Sequence, residues 1–329
     1  MKAMLLCAGF GERMRPITNH IPKPLLPVVD RPAAEYLLDS LQRAGVSDVI
    51  INLHHLGGVI KKHFGNKYED INISYSEEPE ILGPVGAIKK AEWFFGDEPF
   101  IVVNGDIWID LDFGDVIKFH TQTGCVLTMV VARRGDRREL YSIGYDDDGR
   151  VRQVWGEPKS EQEKLHLGIN AGVYVYEPRL LKEYVPSGVF TELVSGLLMR
   201  LFEAGEKIGA YSYGGWWDDI GTPSAYLQLH RDILLGKTPL PMQAGVRWEK
   251  GNLHNGSAVI SPSARVVSPC YIGHDCVIEE GAEIGPFVVL GGGSIVGAGS
   301  HLEDVVVIGG AKVPSGTSSR HEIFIHELH

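Results

Sequence analysis

The chain has 329 residues, enough for two domains of ordinary size. A formal net charge of -11 gives no reason to expect a basic face, which excludes a general nucleic-acid binder. Cys7, Cys125, Cys270 and Cys276 have no C-x-x-C spacing, and Cys7 and Cys125 lie in apolar runs, so reduced, buried thiols are expected. No charged-then-apolar leader opens the sequence, and no apolar run reaches the ~18 residues of a membrane span. A soluble, cytoplasmic protein with no membrane partner is expected.

In chain order, Met4-Leu5-Leu6-Cys7 reads as a short buried strand. It breaks into Ala8-Gly9-Phe10-Gly11-Glu12-Arg13-Met14-Arg15-Pro16-Ile17-Thr18, and then comes Pro22-Lys23-Pro24-Leu25-Leu26-Pro27-Val28. Gly at positions 9 and 11 lets backbone N–H groups approach an anion with no Cβ in the way. Arg13, Arg15 and Lys23 add positive charge, an arrangement that suits a polyphosphate. The dinucleotide fingerprint would need Gly or Ala where Met14 stands, and a Walker loop would need G-K-[ST]. Neither is present.

Pro32 reads as the first residue of a helix running to Ala44, with Gly45 as its stop. Strands are predicted over 49–53, 71–75 and 100–103, with helices over 59–64 and 85–95. The fourth strand ends in Asn104-Gly105-Asp106. Alternation of this kind predicts an α/β domain with a mainly parallel, Rossmann-like sheet and a ligand site beyond the carboxyl ends of its strands. From Val126 the pattern turns strand-rich: 127–132, 143–155 folded over at Asp148-Gly149, and 169–176, with helices near 192–203 and 223–234. The domain is taken as 1–235, followed by a proline-marked linker over 236–258.

From Val259 the chain divides into ten hexads whose second positions are aliphatic in nine cases, from Ile260 to Ile308, the tenth being Pro314. A period of six fits a β-solenoid with three short strands per coil, over 259–318. Residues 319–329 are left as a tail. Their three His are expected in a terminal strand or cap in preference to a metal site.

The combination G-x-G-x-R-x-x-P-x-T followed by P-K-P-L-L-P-V resembles the sugar-1-phosphate nucleotidyltransferases. The hexads resemble the left-handed parallel β-helix. The family resemblance implies transfer of a nucleotidyl group from an NTP to a sugar 1-phosphate, assisted by Mg2+. It implies triphosphate contacts from Arg13 and Lys23, and a nucleotide cradle of Leu6, Ala8, Gly9, Gly11, Glu12, Glu78, Gly83 and Gly105. Asp106, and Asp219 in Gly215-Trp216-Trp217-Asp218-Asp219-Ile220-Gly221-Thr222-Pro223, would be the metal carboxylates. Gly144 and Asn170 would lie at the sugar phosphate.

Three motifs depart from the family. L-G-T-A-G reads Leu82-Gly83-Pro84-Val85-Gly86, Tyr-Gly reads Tyr141-Ser142, and E-K-P reads Gly156-Glu157-Pro158-Lys159. Either Glu157 and Lys159 serve with a one-residue shift, which is the expectation, or that site has changed. A carboxylate at Glu78 only accepts hydrogen bonds, which favours guanine with its adjacent N1–H and N2–H donors. A nucleotidyl domain followed by a short β-helix resembles the mannose-1-phosphate guanylyltransferases, so GTP and mannose 1-phosphate are the expected substrates. The alternatives are uridylyl or thymidylyl transfer to N-acetylmuramate or glucose 1-phosphate, and a non-catalytic regulatory paralogue. Too few coils and no long loop argue against an acyltransferase; the solenoid is expected to serve subunit contact in a homo-oligomer.

Overall fold

The computed structural model describes residues 1–134, 137–158, 164–240, 246–249 and 251–326. Its contacts divide the chain into two compact units: Met1–Gly11, His20–Pro24 and Ala34–Asp218 form one, and Glu12–Asn19, Leu25–Ala33 and Asp219–His329 the other. In this division the helix Pro223–Leu234 belongs to the second unit.

The first unit is built on a mixed ten-stranded sheet. Its strands are β1 (Lys2–Leu6), β2 (Asp48–Leu53), β3 (Lys67–Tyr68), β4 (Ile71–Glu77), β5 (Phe100–Asn104), β6 (Leu127–Ala132), β7 (Ile143–Tyr145), β8 (Val151–Val154), β9 (His166–Tyr176) and β10 (Ile208–Tyr213). The path runs β8-β7-β9-β5-β1-β2-β4-β3, with β6 pairing β9 and β10. Strands β5, β1, β2 and β4 are mutually parallel, which is why they read as unbroken apolar runs: Ile50, Ile51 and residues 100–103 are wholly buried. Strand β9 runs antiparallel to both β5 and β6.

Two helices were not anticipated from sequence. Phe113–Thr123 starts at Asp112, whose side chain accepts from the Gly114 N–H, and ends at Gly124 with φ of 60°. Pro178–Tyr184 starts on a proline. The anticipated helix over 192–203 opens as a π-helical segment, Leu193–Leu198, before Met199–Glu203.

The second unit contains a parallel β-helix of three sheets. One stacks Asn252–Asn255, Cys270–Ile272, Val288–Leu290, Val306–Val307 and Ile323–Phe324; Val246–Glu249 pairs antiparallel on its edge. The others stack from Val259–Ile260 and from Arg265–Val266. The solenoid therefore takes in part of the expected linker and of the expected tail. Val259 aligns with Val277 and Ile295, but Ile295 then aligns with Lys312, so the last coil is one residue short. After Leu302 the inward positions are accordingly Val307 and Val313, while Pro314 is exposed. This corrects the hexad phase at its end.

Inward aliphatics carry the solenoid. Ile284 is wholly buried, whereas Val259 on the first full coil is 67% exposed. Ile284→Ala is expected to destabilise by about 2–5 kcal/mol and Val259→Ala by no more than about 0.5 kcal/mol. Urea denaturation followed by circular dichroism separates the two.

Candidate active site

The parallel strands deliver polar residues at their carboxyl ends. Leu6 lies opposite both Asn52 and Asn104. Asn52 is buried: its Oδ1 accepts from the Cys7 N–H at 2.6 Å and its Nδ2 donates to Glu78 Oε1 at 2.7 Å. Glu78 Oε2 accepts from the Leu82 N–H at 3.0 Å, and Glu78 itself is only 3% exposed. Each carboxylate oxygen can accept a further bond. Leu6, Ala8, Gly9, Glu78 and Gly83 line one cavity of about 220 Å³ together with Asn52 and Asn104. Five residues assigned to the nucleotide from sequence are thus brought together; Asn52 and Asn104 were missed, although each is a polar residue in an otherwise apolar strand end.

Gly11 adopts φ of 65°, a conformation open to glycine without strain. Gly105 is dictated by close approach, since a Cβ there would lie 2.7 Å from Cys7 Sγ and 3.1 Å from the Leu6 carbonyl oxygen. That approach places the next residue, Asp106, against Lys23: Lys23 Nζ donates to Asp106 Oδ2 at 2.8 Å. Lys23 opens a 3-10 turn, Lys23–Leu25, between two prolines. Burial pushes the Cys7 thiol well up, so it stays protonated.

In the second unit Arg13 Nη2 approaches Asp219 Oδ2 at 3.7 Å, and Arg15 approaches Glu12 at 3.7 Å on the surface. Asp218, its neighbour, belongs to the first unit and is buried against Arg134 and Arg137 at 3.1 and 2.9 Å. Its role there is structural. The segment after Lys23 is fixed by His230, whose Nε2 accepts from the Val29 N–H at 2.9 Å while Nδ1 faces the Tyr226 carbonyl at 2.8 Å. These partners require the neutral Nδ1–H tautomer.

A second cavity, of about 510 Å³, shares Leu6, Pro84 and Asn104 with the first and is lined by Asn170, Tyr174 and Tyr176. Asn170 Nδ2 donates to the Tyr174 hydroxyl at 2.8 Å, and its Oδ1 accepts from the Gly172 N–H at 3.2 Å. Burial raises Tyr174 to about 12. Of the other sugar-side residues, neither Gly144 nor Glu157 lines it. Gly144 is buried in β7 under the side chain of Gln153, Glu157 is exposed in a tight turn, and Lys159 lies outside the described residues.

Asp106 and Asp219 are partly exposed carboxylates, the hard oxygen donors Mg2+ prefers. Among the described residues no three His, Cys, Asp or Glu converge on a metal position. Mg2+ commonly takes one or two carboxylates and completes its shell with water and substrate phosphate, and each of these carboxylates, taken singly, is a donor of that kind.

The profile of the nucleotidyl transferase family matches residues 2–235. A UTP–glucose-1-phosphate uridylyltransferase of Synechocystis is 33% identical over 308 residues, 88% of this chain and 78% of the relative. A mannose-1-phosphate guanylyltransferase of Mycobacterium tuberculosis is 30% identical over 88% of this chain and 78% of its own length. Among solved structures, HddC of Yersinia pseudotuberculosis complexed with GMP-PN superposes with a TM-score of 0.58 at 25% identity, covering 70% of this chain and 99% of HddC.

His230 is wholly buried, and desolvation lowers its pKa to about 4. Unfolding restores an ordinary value near 6.5, so the unfolded chain takes up a proton that the folded one refuses. The stability contributed by neutral His230 is therefore full above pH ~6.5 and is lost as pH falls towards 4, by up to about 3 kcal/mol. His230→Gln is expected to flatten the pH 5–7.5 dependence of the urea midpoint; an unchanged slope would contradict the assignment. With its motifs, sheet and relatives in agreement, the chain belongs to the nucleotidyl transferase family, among the sugar-1-phosphate nucleotidyltransferases.

Proposed function

We propose that the chain transfers a guanylyl group from GTP to a sugar 1-phosphate, with mannose 1-phosphate as the first acceptor, yielding GDP-mannose and pyrophosphate. The observation that carries the base reading is Glu78. Its carboxylate lines the cavity beside Ala8, Gly9 and Gly83, held by Asn52 and the Leu82 N–H. A carboxylate can only accept, and guanine offers two adjacent donors where uracil offers one between acceptors. Guanylyltransferases among the relatives lend support. The Synechocystis relative favours UTP and glucose 1-phosphate as the second reading.

The acceptor phosphate oxygen bonds to the α-phosphorus as the bond to the β-phosphate bridging oxygen breaks, so no side-chain nucleophile is needed. Positioning and charge neutralisation are what the protein supplies. Arg13 and Lys23 hold the triphosphate and carry the charge of the departing pyrophosphate. Asp106 and Asp219 would hold Mg2+, which when bound neutralises phosphate charge. The β-helix is assigned to subunit contact in a soluble, cytoplasmic homo-oligomer.

A grid of nucleoside triphosphates against sugar 1-phosphates, read by pyrophosphate release with Mg2+, is expected to give its largest signal for GTP with mannose 1-phosphate. Turnover confined to UTP or dTTP would overturn the base reading and leave the family intact. Asp106→Ala is expected to cost at least about 10²–10³ in kcat with folding preserved. Unchanged activity would remove Asp106 from the metal site.

A further inference from the structure

The larger cavity has more than twice the volume of the one holding Glu78, about 510 against 220 Å³. Its walls are largely apolar, with Pro84, Ile88, Tyr176 and Leu193 among them. Pro84 stands where the family carries a threonine hydroxyl. The carboxylate expected from Glu157 is turned to solvent, its backbone closed on Val154.

Trp155 and Glu192 are among the other residues that line the cavity. Trp155 is 71% exposed and has φ of 50°. Positive φ at a bulky residue costs about 1–3 kcal/mol and persists only where the surroundings impose it. Here the Trp155 N–H donates to the Ser142 carbonyl at 2.6 Å, and Val154 and Glu157 exchange backbone bonds on either side of it. A strained turn thus keeps a large indole at the cavity. Glu192 comes from a different element. It precedes the π-helical segment Leu193–Leu198 with an extended backbone, and its side chain does not cap that segment.

We propose that Trp155 and Glu192 form the acceptor-sugar clamp of this chain, in place of the E-K-P carboxylate. The indole takes the C–H face of a pyranose ring, whose aliphatic hydrogens suit an aromatic surface. Glu192, able only to accept, takes the ring hydroxyls. This inference rests on the sugar-1-phosphate reading and is independent of which sugar or base is used.

The test uses the full-length enzyme with Trp155→Ala, Trp155→Phe and Glu192→Gln. Trp155→Ala and Glu192→Gln are each expected to raise KM for the sugar 1-phosphate about tenfold or more, with KM for the triphosphate unchanged. Trp155→Phe, which keeps a ring, recovers most of the Trp155→Ala loss. Calorimetric titration with GDP-mannose or UDP-glucose needs no turnover: Trp155→Ala weakens the nucleotide sugar about tenfold and leaves GDP or UDP untouched. Equal nucleotide-sugar affinity in wild type and Trp155→Ala overturns the clamp. Absence of turnover with every acceptor, while that affinity difference persists, overturns the functional reading and leaves the clamp. A wild type that binds no nucleotide sugar overturns both.

Discussion

A buried carboxylate needs partners, and the first unit is arranged to give Glu78 its own. Left alone in an apolar interior, an ionised carboxylate would cost several kcal/mol. Asn52 meets one oxygen and the Leu82 N–H the other. Asn52 can do so only because its own Oδ1 is fixed by the Cys7 N–H. The chain of bonds thus ties the ends of β1 and β2 to the segment that follows β4, and it holds Leu82 at the start of the helix Gly83–Lys90. The parallel register puts Asn52 opposite Leu6 and Ser76. A slip of one residue would turn the amide to the other face of the sheet and leave the carboxylate unpaired.

How much of this was legible depended on whether the physics was local. The parallel strands could be read because burial on both faces demands unbroken apolar runs such as Phe100-Ile101-Val102-Val103. The helix Phe113–Thr123 was missed because it is short and rich in weak formers: Gly114, β-branched Val116 and Ile117, and two threonines. Its buried residues Phe113, Val116 and His120 do keep a helical spacing, and Asp112 and Gly124 mark its ends. The solenoid phase was legible until a coil lost one residue, since only strand pairing reveals where the deletion is absorbed.

The site divides in the same way. Leu6, Gly9 and Glu78, singled out in the sequence at strand ends and in a glycine loop, do line one cavity. Asn52 and Asn104 carry the same signal of a polar residue ending an apolar run, and were overlooked beside the acidic one. Trp155 and Glu192 carry no local signal at all. Each faces the cavity through a tertiary arrangement, one through a turn held by Ser142, the other through the start of a π-helical segment. A departure from a family motif marks where to look, and the fold then supplies the side chains that line the place.

Charge distribution gives the last constraint. A chain with a net charge of -11 must nonetheless receive two polyanions. Its loop cations are already engaged: Lys23 with Asp106 at 2.8 Å, and Arg13 with Asp219 at 3.7 Å. Both pairs join a cation assigned to the triphosphate with a carboxylate assigned to the metal. Each pair is close to neutral, so neither half repels its substrate before binding, and neither leaves a charge without a counter-ion. In the proposed reaction Asp106 and Asp219 would hold the divalent cation and Lys23 and Arg13 the phosphates, so each member of a pair would meet an opposite charge when substrate is bound. Lys23 and Asp106 form the closer and less exposed pair, so removing either leaves the other without its partner in a partly dry place, whereas water takes up a charge stranded in the more exposed Arg13–Asp219 pair.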